Sequence, residues 1–131
     1  MAGKSNSLRS RLGQARGLGS AHEGVHHWWG QRMSALALIP LSLWLVASLV
    51  CMAGADYAVV SQWLSSPVTL GALGLTILIT VYHAVLGLQV VVEDYIHGQP
   101  TKLILLILLP MSGVALVVAA IVSLLMIAFA G

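Results

Sequence analysis

Three long stretches of the chain contain no Asp, Glu, Lys or Arg, and short polar segments separate them. These uncharged stretches cover residues 33–55, 57–92 and 103–131. A helix needs about 20 apolar residues to cross the hydrocarbon core of a bilayer, which is about 30 Å thick. Each stretch is long enough for one crossing, so the pattern predicts an all-α integral membrane protein with three transmembrane helices.

The helix boundaries follow from where the apolar stretches end and from the proline and glycine residues between them. Pro67 precedes the second predicted helix, and Gly98 and Pro100 follow it. The pattern predicts a polar, basic N-terminal arm followed by transmembrane helices 1, 2 and 3, which occupy residues 1–31, 32–54, 68–95 and 103–129, respectively.

The composition indicates that the solvent of this chain is membrane lipid. Hydrophobic residues make up 59% of the 131 residues and charged residues only 8%, whereas a soluble domain carries about 25% charged residues. A water-soluble globular domain is therefore excluded. The single cysteine, Cys51, leaves no internal disulfide, and the sequence lacks the Cys-x-x-Cys-His motif that attaches a c-type haem covalently.

The positive charges are concentrated before the first apolar stretch. All but one of the six Lys and Arg residues lie at or before Arg32, and the sixth is Lys102, between the second and third stretches. The connection between predicted helices 1 and 2 contains neither residue type. The positive-inside rule therefore predicts a cytoplasmic N-terminus and a periplasmic C-terminus. Because the charge clustering is explained by topology, the net charge of +2 does not indicate a nucleic-acid partner.

The N-terminal segment leaves two compartments open. The first apolar stretch begins too late in the chain for a secretory signal peptide. Residues 1–21 are basic and Ser-rich and contain no acidic residue, which is typical of a mitochondrial transit peptide and is also compatible with a bacterial cytoplasmic tail. We expect a multi-pass protein of the bacterial inner membrane, with the mitochondrial inner membrane as the alternative.

His83 is an ionisable side chain that lies well inside predicted helix 2. It lies about ten residues, or about 15 Å, from the inner end of helix 2, which is near the middle of the bilayer. A polar group at that depth is costly and indicates a function. Imidazole is a common axial ligand of haem iron, and Gly87, one turn later, would leave room for the macrocycle edge. The competing interpretation is a neutral imidazole hydrogen-bonded to a neighbouring helix.

Helix 2 ends with Glu93, Asp94 and Tyr95. Carboxylates at a helix C-terminus oppose the helix dipole, typically by about 0.3–1 kcal/mol, so another interaction must favour them. Candidates are a cationic partner, a protein subunit or acid–base chemistry. Asp94 follows His83 by 11 residues, which is within about 20° of whole turns, so the two project from one face. Tyr95 either anchors the helix at the interface or donates a hydrogen bond to a ligand there.

The motif of helix 2 closely resembles that of a known family. His83, Gly87 and the Asp94-Tyr95 pair have the spacing seen in the hydrophobic membrane-anchor subunits of succinate dehydrogenase, respiratory complex II. The region before helix 1 is similar to that family as well, and its matching residues are Glu23-Gly24, His26, Trp28, Gln31-Arg32 and Ser34-Ala35. The resemblance covers about residues 17–98 in motif and the whole chain in architecture.

The resemblance implies roles for five residues. His83 would be one axial ligand of a haem b shared with the cytochrome b556 subunit, and Tyr95 would hydrogen-bond a ubiquinone carbonyl near the inner surface. Asp94 would tune the quinone site or relay protons. Arg32 and His26 would contact the haem propionates or line the path by which the quinone approaches its site.

The resemblance also implies the partners and the function. The chain would hold the soluble flavoprotein and iron–sulfur subunits at the membrane while electrons pass from succinate to ubiquinone, and it would have no catalytic activity alone. Two alternatives stay open. The first is a structural small membrane protein or assembly factor without a cofactor, and the second is the equivalent anchor of a fumarate reductase.

Overall fold

The structure is a computed structural model that describes the backbone of residues 20–129 and the side chains of residues 24–129. It contains four helices, which are α1 (Ser20–Cys51), α2 (Tyr57–Ser65), α3 (Pro67–Tyr95) and α4 (Gln99–Phe129). Three of them, α1, α3 and α4, are long and apolar enough to cross a membrane. The prediction of an all-α chain with three candidate membrane-spanning helices is therefore confirmed over residues 20–129.

The helices extend further than the apolar pattern predicts. Helix α1 begins at Ser20, so the described part of the predicted polar arm is helical, while residues 1–19 lie outside the described chain. Its 32 residues span about 48 Å, more than the hydrocarbon core requires. Helix α4 begins at Gln99 rather than at residue 103 and includes Pro100, which the first turn of a helix tolerates. Hydropathy marks the bilayer core, whereas a helix continues until its backbone is interrupted.

The connection between α1 and α3 also contains structure that the pattern does not predict. Gly54 adopts a positive φ of 83°, a conformation that glycine reaches without steric cost. This turn ends α1 and leads into the short helix α2. Trp63 of α2 stacks on Trp44 of α1, with their ring centroids 6.1 Å apart, and Ser65 donates a hydrogen bond of 2.9 Å to the carbonyl of Ala128 in α4.

The three long helices form a row with α3 in the middle. Helix α3 packs against α1 on one side and α4 on the other, and within residues 20–129 α1 and α4 do not approach each other. A row of helices has no enclosed core. Only a few described residues are buried, and they are Ser34, Thr69, Thr76, Leu86, Gly113 and Ala128. Most apolar side chains therefore face lipid or other proteins.

Close packing between the helices depends on glycines of α1 and α4. A Cβ atom added at Gly30 would lie 2.7 Å from the Tyr82 hydroxyl oxygen, and one at Gly113 would lie 2.7 Å from Cγ2 of Val85. Gly71 and Gly74 of α3 have no described atom within 4 Å of an added Cβ, so among residues 24–129 no neighbouring helix packs closely against them.

Candidate functional site

His83 faces α1 and contacts two of its polar side chains. Its Nδ1 lies 2.9 Å from Oγ of Ser34, and its Nε2 lies 3.3 Å from the amide nitrogen of Gln31. Ser34 is 6% exposed, and His83 is half-buried. The imidazole is thus held at both nitrogens by one neighbouring helix.

Gly87 lies on the same face of α3, one turn beyond His83. A Cβ at Gly87 would lie 3.4 Å from the Gln31 amide nitrogen, an ordinary contact distance, so Gly87 and Gln31 are neighbours across the α1–α3 contact. The oxygen atom of the same Gln31 amide lacks such a contact in the described part of the chain. Gln31 Oε1 is buried and, within the described residues, has no hydrogen-bond partner. Such a group is costly to bury and marks a place where an interaction from outside this part of the chain is expected.

An open groove of about 310 Å³ runs along α1 beside His83. Its lining combines apolar side chains with one cation and one imidazole, and the residues are Gln31, Arg32, Ala35, Leu36, Ile39 and His83. The Arg32 guanidinium lies 5.0 Å from the ring centroid of Trp28, a cation–π distance that steadies the charge at the edge of the groove. The structure therefore brings Arg32 and His83, two of the predicted site residues, to the same groove.

His26 is exposed and does not line this groove. Its neighbour His27 turns toward α3 instead, where Nε2 lies 3.3 Å from Oε1 of Gln89. The α1–α3 contact therefore contains a second polar pair, which lies closer to the C-terminal end of α3 than His83 does. This pair is absent from the sequence predictions because His27 and Gln89 are far apart in the chain.

The acidic end of α3 forms a separate cluster. Glu93, Asp94 and Tyr95 are exposed, and Tyr95 retains 75% of its accessible surface. Lys102 donates a hydrogen bond of 2.8 Å to the backbone carbonyl of Glu93. A cation at this position satisfies a terminal carbonyl and opposes the negative end of the helix dipole. Tyr95 is about 18 Å from His83 along the axis, so the two predicted ligand-binding residues belong to different sites on one helix.

The described residues offer one histidine, His83, as a metal ligand at the groove. Among the described residues, no three His, Cys, Asp or Glu side chains come together as a metal site would require. Coordination at His83 Nε2 would also take the place of the Gln31 contact. Further ligands to the same metal would have to come from outside the described residues.

Gln31 and Ser34 are the site residues whose role sequence reasoning missed. Both belong to the matching region before helix 1, but neither received a function there. A signal is present nonetheless. The two polar residues are three positions apart at the start of an apolar stretch, and residues with that spacing share one face of a helix.

Residues 6–109 match the family of succinate dehydrogenase/fumarate reductase transmembrane subunits. The chain belongs to this family. The matched region includes the groove beside His83 and the acidic end of α3, and it ends inside α4.

Individual relatives within the family cover most of the chain. It is 34% identical over 116 residues to the succinate dehydrogenase hydrophobic membrane anchor subunit of Rickettsia bellii, which spans 88% of this chain and 93% of the relative. It is 33% identical to the Rickettsia conorii subunit of the same name, over 89% of this chain and 94% of that one. The subunit from Paracoccus denitrificans is 28% identical over 67% of this chain and 68% of its own length. No solved structure matches the chain.

Proposed function

We propose that this chain anchors succinate dehydrogenase in the bacterial inner membrane and completes a haem site and a ubiquinone site there. The anchoring role rests on membership of the family and on relatives that carry that name. The single observation that carries the cofactor proposal is the groove beside His83, which joins an imidazole, a cation and apolar side chains on one membrane-spanning helix pair. Flavin and iron–sulfur chemistry would reside in the soluble subunits.

The groove beside His83 fits a haem b on chemical grounds. The imidazole Nε2 would hold the iron, Arg32 would pair with a propionate, and Leu36 and Ile39 would contact the macrocycle. Within the described residues the buried Oε1 of Gln31 has no hydrogen-bond partner, so a donor from outside this part of the chain is expected beside the groove. When bound, haem supplies a one-electron carrier within the membrane. Because the described residues offer one histidine at the groove, we propose that a cytochrome b556 subunit supplies the second axial ligand.

The acidic end of α3 fits a ubiquinone head group and the adjacent soluble subunit. Tyr95 can donate its phenolic proton to a quinone carbonyl, and Asp94 can supply protons when the quinone is reduced. Lys102 donates a hydrogen bond to the Glu93 carbonyl at this end of α3. Exposed carboxylates also suit docking against basic residues of an iron–sulfur subunit.

A fumarate reductase anchor is the second candidate, because the matching family includes the transmembrane subunits of both enzymes. The two enzymes differ in the direction of electron flow, which depends on the reduction potentials of the other subunits. The named relatives favour succinate oxidation.

The proposal is tested by purifying a tagged chain in a mild detergent from cells that express the whole complex. We expect a flavoprotein, an iron–sulfur subunit and a second small membrane subunit to copurify, together with a reduced-minus-oxidised spectrum of a b-type haem. The chain expressed alone should not retain a low-spin haem, because such a haem needs two axial ligands. Recovery of the chain without partners or haem from the complete system would favour a structural protein or assembly factor.

The proposed orientation makes a second prediction. If the basic N-terminal segment is cytoplasmic, an alkaline phosphatase reporter fused after Gly131 should be active in the periplasm, and one fused after Gly98 should be inactive. A green fluorescent protein reporter should give the opposite pattern at the two positions. Phosphatase activity after Gly98 would show that the chain is inserted the other way round.

A further inference from the structure

We infer that Ser34 is the positioning residue that selects the tautomer of His83, so that Nδ1 carries the proton and the Nε2 lone pair faces the groove. The hydrogen-bond argument rests on the α1–α3 contact alone. The use of that lone pair for iron rests on the function proposed above. Ser34 does not itself line the groove, and it acts through His83, which does.

The hydroxyl group of Ser34 has three oxygen or nitrogen neighbours and one hydrogen. Its Oγ lies 2.7 Å from the carbonyl oxygen of Gly30, 3.0 Å from that of Gln31 and 2.9 Å from Nδ1 of His83. If the hydrogen pointed to Nδ1, Oγ would face two carbonyl oxygens at these short distances with no proton between them. The hydroxyl group therefore donates to a backbone carbonyl, with Gly30 at the shortest distance, and accepts from Nδ1–H.

The Gln31 amide agrees with this assignment at the other ring nitrogen. When Nδ1 of a neutral imidazole carries the proton, Nε2 is an acceptor. The group that faces it must then be a donor, and the nitrogen of the Gln31 amide faces it at 3.3 Å. The opposite tautomer would need two changes at once, because Nε2–H would meet the amide NH₂ and Nδ1 would need the only proton of Ser34.

Packing of α1 on α3 places the hydroxyl group within reach. Gly30, one turn before Ser34, lets α1 approach Tyr82 and Leu86 at distances that a Cβ atom would prevent. Ser34 is 6% exposed, so its hydroxyl group is shielded from competing water. A histidine that binds a metal through one nitrogen is oriented by the hydrogen bond that its other nitrogen makes.

The first test measures the tautomer directly, without haem. The full-length chain, labelled with ¹⁵N-histidine in detergent micelles at mildly alkaline pH, should give for His83 a protonated Nδ1 and an unprotonated Nε2. A His83→Gln variant assigns these signals by their loss. Ser34→Ala should produce a mixture of tautomers, and Ser34→Thr, which keeps the hydroxyl group, should restore the wild-type pattern.

The matched control is Ser42→Ala. Ser42 is also on α1 and also donates to a carbonyl of its own helix, that of Ile39, but it is exposed and makes no contact with His83. This variant should leave the tautomer unchanged. A wild-type His83 protonated at Nε2, or a Ser34→Ala variant with unchanged Nδ1 protonation, would overturn the inference. The wild-type measurement decides even if a variant fails to fold.

The second test uses the assembled complex. An Nδ1–H bond to an acceptor makes the imidazole a more basic ligand, and a more basic ligand favours oxidised iron. Ser34→Ala should therefore shift the haem equilibrium toward the reduced form by about three- to tenfold, where tenfold equals 59 mV for one electron. Ser34→Thr and Ser42→Ala should keep the wild-type potential.

The two tests separate this inference from the proposed haem site. If the tautomer depends on Ser34 but neither Ser34→Ala nor His83→Leu alters the haem, the inference about the tautomer holds and the haem ligand lies elsewhere. If His83→Leu abolishes the haem signal but Ser34→Ala changes neither the His83 tautomer nor the haem reduction potential, the haem proposal holds and the inference is wrong.

Discussion

His83→Leu is expected to remove most of the b-type haem absorbance from the assembled complex. The variant deletes the imidazole that faces the groove, and leucine offers no atom that can coordinate iron. Within the groove Arg32, Leu36 and Ile39 would remain, but these side chains do not replace an axial ligand. Ser34 keeps its hydrogen bond to the Gly30 carbonyl, so the substitution leaves no buried hydroxyl group without a partner and the helix pair should still form.

The measurement is a reduced-minus-oxidised spectrum normalised to the flavin content of the same preparation. His97→Leu is the matched control, because His97 is exposed in the connection after α3 and makes no contact with the groove. The control should retain the wild-type haem signal. An unchanged spectrum for His83→Leu would exclude this residue as the ligand.

Tyr95→Phe is expected to reduce quinone reduction by about two- to thirteenfold while leaving the soluble chemistry intact. A neutral hydrogen bond contributes about 0.5–1.5 kcal/mol, and each 1.36 kcal/mol changes a rate tenfold. Phenylalanine keeps the aromatic ring at the membrane interface, so assembly should be unaffected. Loss of the donor would therefore appear in the quinone step alone.

Two assays on one preparation isolate that step. Succinate oxidation with a dye that accepts electrons from the soluble subunits should be near normal, whereas succinate oxidation with ubiquinone should be slow. Tyr57→Phe is the matched control, because Tyr57 is 78% exposed, close to the 75% of Tyr95, but it begins α2 at the other end of α3. If Tyr95→Phe and Asp94→Asn both keep the wild-type rate, the quinone site lies elsewhere and the function of the chain is reduced to anchoring and haem binding.

The structure places the predicted haem and quinone residues at different parts of the molecule. His83 and Arg32 meet at one groove, whereas Asp94 and Tyr95 lie together at the end of α3, and His26 is exposed away from the groove. The roles of all five residues stay predictions, which the variants above test. The family resemblance is confirmed by the match over residues 6–109.

Local sequence alone determined the number of candidate membrane-spanning helices and identified His83 as a polar residue inside an apolar stretch. Both depend on the free energy of moving residues between water and lipid, which is a property of composition over about 20 positions. Local sequence also predicts residues 68–95 for helix 2, where α3 runs from Pro67 to Tyr95. It could not place the start of α1, because a helix needs no apolar residues beyond the bilayer core.

Only the tertiary structure decided which side chains surround His83. Hydropathy does not specify how two helices are rotated and shifted against each other, and a shift of one residue would turn Ser34 about 100° away from the imidazole. The register is set by close contacts such as Gly30 against Tyr82 and Gly113 against Val85, which join residues far apart in the chain. Those contacts place Ser34 on one ring nitrogen and Gln31 on the other, and thereby determine the tautomer of the histidine.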